Sequence, residues 1–266
     1  MKKFYRTDLA CEKPVKEKSK YRVYTSEINE LSCTFSVSKE NGKTENALIY
    51  TGKPYKYDSG YKASVSSALS RCIWKMLSEN TERFDSILIC GLGNRSISSD
   101  SLGPLVADRL YATSGIEGFR RKIHIIAPGV EGESGFSTFD TVKTFSSLSQ
   151  CNLIIAIDSL CARSLERLTA TLQLSVLGIQ PGSGVGNHKK EISEGTLGIP
   201  VLAIGVPTSC DLDAITKELG AVGYHVSPSD IDLSVISFAD IIADSLKHTF
   251  YQRINHIKTD TPSGFL

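Results

Sequence analysis

Residues 152–163 read NLIIAIDSLCAR, a stretch in which five consecutive apolar residues lead directly into Asp158. Comparable apolar runs are SILICGL at 86–92, KIHIIAPGV at 122–130 and IPVLAIGVP at 199–207. Short apolar runs separated by helical patterns are typical of strands in a parallel sheet that is covered on both faces. The sequence therefore predicts a three-layer α/β fold with a mostly parallel central sheet and helices on both faces.

The flanking segments predict further helices and a smaller N-terminal element. Residues 63–78 carry apolar side chains at helical spacing, and residues 228–252 predict a long C-terminal helix. YRVYTS at 21–26 and SCTFSVS at 32–38 have the composition of strands, and an Asn-Gly turn signal follows at 41–42. We expect these strands to form a small antiparallel or extended element ahead of the main sheet.

The two ends of the chain differ from its centre. Residues 1–20 are rich in lysine and poor in apolar side chains, which predicts an exposed arm. Residues 21–255 are expected to form a single α/β domain, and residues 256–266 a flexible tail.

Composition limits the classes of partner. The chain has 266 residues, 41% hydrophobic and 22% charged, with a formal net charge of +1. This balance gives no bulk field that would attract a nucleic acid or a membrane surface, so neither is expected as a partner. The start of the chain lacks the apolar core of a secretory signal, and the seven cysteines are scattered without a C-x-x-C pair. A reducing, cytoplasmic location is the natural expectation.

Asp100 lies in a polar loop between a predicted strand and a predicted helix. The segment reads GLGNRSISSDSLGP, in which Gly91 and Gly93 permit a tight turn and Asn94 follows. Two interpretations remain open for Asp100, a cap of the following helix or a catalytic carboxylate. A dinucleotide fingerprint is excluded because its third glycine would fall at Ser96.

Asp158 stands at the end of the most apolar strand. A carboxylate in such a place is costly to desolvate unless it is paired, hydrogen-bonded or protonated. Asp158 is therefore either a functional group or one half of an ion pair with Arg163 or Arg167. If Asp100 and Asp158 meet at adjacent strand ends, one carboxylate could activate water while the other, protonated, donates to the leaving group.

The loop GIQPGSGVGNHKK at 178–190 is rich in glycine and ends in basic residues. It lacks the G-K-S or G-K-T of a phosphate-binding loop, so we interpret it as a loop that approaches a ligand or a peptide backbone closely. Signatures of zinc, serine and cysteine proteases are absent from the sequence. The candidate substrate-contacting positions of the two loops are Gly93, Asn94, Gly182, Gly184, Gly186, Asn187 and His188.

Several of these stretches resemble one known family. GLGN at 91–94, SSDSLGP, APGV, AIDSLCARSLERL, PGSGVGN and TLGIPVLAIGVPT occur in order over residues 86–209. Together they resemble the germination protease family of spore-forming bacteria. GLGN with an aspartate six residues after its asparagine is also similar to the hydrogenase-maturation endopeptidases, whose fold is related.

The resemblance implies an activity, a site and a substrate. The family consists of atypical aspartic endopeptidases that degrade the small acid-soluble proteins coating spore DNA in the spore core. Its two proposed catalytic aspartates correspond to Asp100 and Asp158, and no organic cofactor or metal is implied. Two alternatives are a metal-dependent maturation-type endopeptidase that uses the same aspartates as ligands, and a catalytically silent paralogue that binds peptides.

The resemblance also implies control by processing and assembly. Members are made as zymogens that remove their own N-terminal segment, at an acidic residue followed by a hydrophobic residue and alanine. Thr7-Asp8-Leu9-Ala10 fits that rule, which predicts a cut between Asp8 and Leu9 and a propeptide of residues 1–8. A homo-oligomer, specifically a tetramer, is expected. The chain departs from the family in its shorter length and at Gln180, where members usually have histidine.

Overall fold

The computed structural model describes residues 20–182, 190–212 and 224–254. Its elements are, in order, β1 (Tyr21–Ile28), β2 (Leu31–Ser38), β3 (Thr44–Tyr50), α1 (Ser59–Asn80), β4 (Ser86–Gly91), α2 (Leu102–Asp108), β5 (Lys122–Ile126), α3 (Glu131–Ser134), α4 (Thr138–Ser149), β6 (Leu153–Ala162), β7 (Thr171–Ser175), α5 (Glu194–Leu197), β8 (Val201–Asp211), β9 (His225–Val226) and α6 (Ile231–Phe250). Short 3₁₀ turns lie at Pro54–Lys56 and Ser98–Asp100.

One sheet runs through the molecule in the order β1-β2-β3-β7-β8-β6-β4-β5, with β9 paired to β8. Strands β8, β6, β4 and β5 pair in parallel, as the apolar runs predict, and the other pairings are antiparallel. The α/β class is confirmed, but the sheet is mixed rather than mostly parallel, because β1, β2, β3 and β7 join it through antiparallel pairings. The parallel half sets the carboxyl ends of β4, β6 and β8 side by side.

The three N-terminal strands belong to this same sheet. They form an antiparallel meander, and β3 pairs with β7 over Asn46–Ser175 to Tyr50–Thr171. Alternate residues of β2, among them Cys33 and Phe35, are buried beneath α1. The sequence predicts these strands from their own composition, but the partner that β3 finds more than 100 residues later leaves no local signal.

Helices cover both faces of the sheet. Helices α1, α2 and α6 contribute to one apolar cluster together with Ile155 and Ile157 of β6. Helix α4 packs on the other face, where Phe139 and Val142 meet Ile154. Because successive side chains of a strand point to opposite faces, β6 supplies both clusters and is buried along most of its length.

The two long helices differ slightly from their predicted bounds. Helix α1 is longer than predicted because Asp58 caps it, accepting a hydrogen bond from the Tyr61 N–H at 2.8 Å. Helix α6 starts three residues later than predicted. Pro228 lies in a turn before it, and its carbonyl accepts from the Ile231 N–H at 3.2 Å.

Among the residues that the structure describes, no helix has the length and apolar character needed to cross a membrane. Six cysteines fall within the described ranges, and all six are buried.

Candidate active site

The two predicted aspartates lie at the same end of the sheet. The strand does not end at Asp158 as predicted: Asp158 lies inside β6, one residue past the last pairing of β6 with β4, because β6 continues along β8 to Ala162. Asp100 is the last residue of the Ser98–Asp100 turn between β4 and α2. This turn packs against β6, β8 and α6. In the sheet β6 lies between β4 and β8, so the turn sits above the strand that carries Asp158.

The carboxylate of Asp100 is held by the loop after β4. The Asn94 N–H donates to Asp100 Oδ2 at 2.7 Å, and the Ser96 N–H donates to Asn94 Oδ1 at 2.7 Å. Helix α2 has Ser101 as its N-cap residue, without a side-chain capping bond. Of the two interpretations of Asp100, a helix N-cap is therefore not the one observed: its carboxylate binds the strand-end loop.

Two glycines allow the turn and α2 to pack closely against the backbone of β6 and of the residues after β4. Gly93 has a φ of +112°, and a Cβ there would lie 2.1 Å from the Asp100 carbonyl oxygen. A Cβ on Gly103 would lie 2.3 Å from the Leu92 carbonyl oxygen and 2.6 Å from that of Ile157. Such distances exclude any side chain, so glycine at both positions is what brings Asp100 close to β4 and β6.

Asp158 is almost fully buried. Its exposed fraction is 5%, and its Oδ1 accepts from the Ser159 N–H at 2.9 Å. The neighbouring β8 residue in register is Gly205, and on the other side the Leu92 N–H donates to the Ile157 carbonyl at 2.8 Å. Burying a carboxyl group costs free energy that hydrogen bonds or charges must offset, and the bond from the Ser159 N–H is one of these.

The two carboxyl groups lie in different environments. Asp100 is partly exposed in a loop, whereas Asp158 is enclosed in the sheet. Carboxyl pairs with unlike surroundings can divide acid and base roles between them. The arrangement is therefore suited to a reaction in which one proton is taken up and another is given away.

The base of the glycine-rich loop lies beside β6. Ile179 and Ile192 form a two-way backbone bridge with N–O distances of 2.9 and 2.8 Å, and Ile179 packs on Leu160. Gly178 and Gly182 both have positive φ, at +91° and +70°. The other candidates in this loop (Gly184, Gly186, Asn187 and His188) lie outside the described residues, as do Asp8 and Leu9 of the predicted processing site.

A thiol–imidazole contact near the site was not foreseen from the sequence. Cys161 Sγ lies 3.5 Å from His225 Nδ1, at the point where β9 pairs with the end of β8. His225 Nε2 is buried and has no hydrogen-bond partner among the described residues. The two residues are 64 positions apart and share no motif, so only the fold brings them together.

A second residue that the sequence did not single out is Thr208. Its hydroxyl donates to the Ser99 carbonyl at 2.6 Å, inside the turn that carries Asp100. Over the described ranges, no three His, Cys, Asp or Glu side chains gather in a way that could hold a metal ion.

Comparisons with known proteins match the part of the chain that carries these residues. A family model described as germination protease matches residues 11–224, which include both aspartates. The germination proteases of Geobacillus sp. (strain WCH70) and Bacillus mycoides (strain KBAB4) are each 46% identical over 142 residues. That of Bacillus licheniformis is 45% identical over 141 residues. Each match covers 50% of this chain and 38% of the relative, well under two thirds of the relative's length.

Among solved structures, the NiFe hydrogenase maturation protease HycI from Thermococcus kodakarensis KOD1 is similar over 62% of this chain and 94% of its own. The sequence identity is 18% and the TM-score is 0.39. A likeness of this size carries no conclusion about function.

Proposed function

The chain belongs to the germination protease family, and from that membership we propose that it is an endopeptidase that cuts small acid-soluble, DNA-binding spore proteins during germination. The observation that carries the proposal is the placement of Asp100 and Asp158 at one end of the sheet, within the part of the chain that the family model matches. The spore core is the proposed place of action.

In the proposed mechanism the two aspartates act on water. One carboxylate, ionised, takes a proton from a water molecule as the water oxygen bonds to the scissile carbonyl carbon. The other, protonated, hydrogen-bonds to the carbonyl oxygen while keeping its proton, and transfers that proton to the amine nitrogen as the C–N bond breaks and the carbonyl re-forms. One carboxyl group thus ends protonated and the other ionised, so a single proton exchange restores the starting state.

The substrate backbone is proposed to lie along the glycine-rich loop. Gly182 could offer its backbone N–H group to the substrate, as Gly93 could from the loop after β4. The base of the loop supports this placement because Ile179 packs on Leu160, which follows Asp158 by two residues in β6.

Control by processing belongs to the same proposal. The chain would be made as a zymogen, lose residues 1–8 by a cut between Asp8 and Leu9, and act as a homo-oligomer, with a tetramer as the expected form. The basis is the match of Thr7-Asp8-Leu9-Ala10 to the family's cleavage rule.

The test is cleavage of an α/β-type small acid-soluble spore protein by the full chain, followed by intact-mass spectrometry. We expect discrete fragments that end in an acidic residue, and a chain shortened by residues 1–8. Asp100→Asn and Asp158→Asn should each slow cleavage by about 100-fold or more, in the range of general acid–base catalysis. Asp108→Asn is the matched control because Asp108 lies in α2 and pairs with Arg95 at the surface; it should cleave at the normal rate.

Other outcomes separate the alternatives. Cleavage that a chelator abolishes and added metal restores would favour the metal-dependent enzyme. Tight binding of the spore protein without any cleavage would favour a silent, peptide-binding paralogue. Full activity in either aspartate variant would contradict the proposed mechanism.

A further inference from the structure

Strand β8 contains a bulge next to the candidate site. In the parallel pairing with β6, Leu160 is opposite Pro207 and Cys161 is opposite Ser209, so Thr208 is an extra residue in β8 without a partner in β6. A bulge of this kind locally breaks the alternation of a strand and redirects one side chain. Here the redirected side chain is a threonine with 1% of its surface exposed.

The bulge places the Thr208 hydroxyl against the turn that carries Asp100. Its Oγ1 donates to the Ser99 carbonyl at 2.6 Å, across 109 residues of sequence. Two neighbouring carbonyls, those of Ile97 and Ser98, bond within the segment itself, since they accept from the N–H groups of Asp100 and Ser101. The hydrogen bond from Thr208 therefore links the turn to the sheet.

The bulge is also fixed from its other side. The Pro207 carbonyl accepts from the Thr169 N–H at 2.7 Å, and Thr169 itself adopts a φ of +53° that β-branched residues rarely take. Both threonines are fully enclosed. Hydrogen bonds on both sides of the bulge therefore fix the orientation of the Thr208 hydroxyl toward the Ser99 carbonyl.

Asp100 is thus held from both strands that flank β6. The Asn94 N–H holds its carboxylate from the loop after β4, and Thr208 holds its turn from β8. Because β6 lies between β4 and β8, the two hydrogen bonds hold the turn against the strand that bears Asp158.

We propose that Thr208 is a positioning residue, whose hydroxyl fixes Asp100 against β6 in the geometry needed for catalysis. This inference rests on the proposed function of the Asp100/Asp158 pair and adds a residue to it. Thr208 acts through Ser99 and touches neither substrate nor the reacting atoms in this scheme.

The test compares Thr208→Val, which keeps the shape of the side chain and removes the hydroxyl, with Thr208→Ser, which keeps the hydroxyl. A small displacement of a catalytic group costs up to about 100-fold in rate, so Thr208→Val should lower kcat by about 10- to 100-fold. Its KM should change by less than about twofold because the substrate contacts are intact. Thr208→Ser should keep kcat within about threefold of the wild type, since it retains the tie to Ser99.

Thr113→Val is the matched control for stability. Thr113 is 2% exposed, and its hydroxyl also donates to a backbone carbonyl, that of Arg121, at 2.7 Å. It lies at the amino end of β5, opposite the candidate site. This variant should lower the thermal midpoint and leave kcat unchanged. Equal kcat in Thr208→Val and the wild type would overturn the inference, as would an equal loss of kcat in Thr113→Val.

A measurement without substrate separates this inference from the proposed function. The Asn94 amide is protected by the Asp100 carboxylate, so its hydrogen exchange should speed up in Thr208→Val and not in Thr113→Val. If the wild type cleaves no spore protein, the proposed function fails while faster exchange at Asn94 still shows that Thr208 positions Asp100. Unchanged exchange would overturn the positioning role whatever the activity.

Discussion

Gly103 is the residue on which the seating of α2 depends. Its Cα faces the Leu92 and Ile157 backbones so closely that an added methyl group would lie within 2.6 Å of three of their atoms. These atoms belong to β6 and the end of β4, which cannot give way cheaply because they are paired in the sheet.

Gly103→Ala should therefore lower the free energy of unfolding by about 3 kcal/mol or more, as overpacking against backbone does at its upper end. Gly132→Ala is the matched control. Gly132 is also helical, and a Cβ there meets nothing within 4 Å, so its stability should stay the same or rise slightly. Urea denaturation of the two variants measures the difference. Equal stability of the two would show that α2 does not rest on the strand ends.

Single residues also show where sequence reasoning stops. Asp158 could be picked out because five apolar residues precede it, and Asp100 because a glycine-rich turn and a helix surround it. The roles of Thr208 and of the Cys161–His225 contact could not be predicted from the sequence. A bulge depends on the register between two strands, and a contact across 64 residues depends on the completed sheet.

At the scale of elements, the end of α1 holds the β2–β3 hairpin in place. Glu79 Oε2 accepts from the Thr44 N–H at 2.8 Å, and its Oε1 accepts from Lys75 Nζ at 2.5 Å. Asn80 Nδ2 donates to the Thr44 carbonyl at 2.8 Å. Burial opposes the charge of Glu79, but the bonds from Lys75 and Thr44 outweigh it and hold the pKa of Glu79 below its usual value.

A carboxyl group with a lowered pKa in the folded state stabilises the protein above the pKa of the unfolded chain. That contribution is lost as the pH falls through the folded-state pKa. Glu79→Gln should therefore cost about 1 kcal/mol at pH 7, and less and less below the ordinary glutamate pKa of 4.5. Unfolding by urea at pH 7 and at pH 3 tests this, with Glu40→Gln in the exposed β2–β3 turn as control. A cost independent of pH would mean that the charge of Glu79 is not what matters.

The sequence predicts the strands and helices more fully than it predicts which strands pair. Each of the four apolar runs forms a strand of the parallel half. They could be predicted because a strand that is buried on both faces consists almost entirely of apolar residues. The pairing of β3 with β7 could not be predicted in this way, because antiparallel strands that are distant in sequence need only compatible alternation of apolar and polar residues.

For the whole molecule, the apolar cluster beneath α1 and α6 joins residues from β2 to the last turn of α6. A core shared in this way predicts one cooperative unfolding transition. Trp74 in α1 is the only tryptophan, and it packs on Phe84, next to Arg121. Its fluorescence and far-ultraviolet circular dichroism should therefore change at the same urea concentration. Separate midpoints would show that the N-terminal strands and α1 unfold independently of the parallel half.

The site also belongs to the whole molecule, since it draws on the ends of β4, β6 and β8. The central claim is that Asp100 and Asp158 work as one unit in hydrolysis. Groups that act in a single step show strongly non-additive losses when they are replaced together.

The most direct test is kcat for cleavage of the spore protein by the wild type, Asp100→Asn, Asp158→Asn and the double variant. Each single replacement should cost about 100-fold or more, and the double variant should be no slower than the slower single. If the two losses instead multiply in the double variant, the aspartates contribute independently, and the account of a shared acid–base pair is wrong.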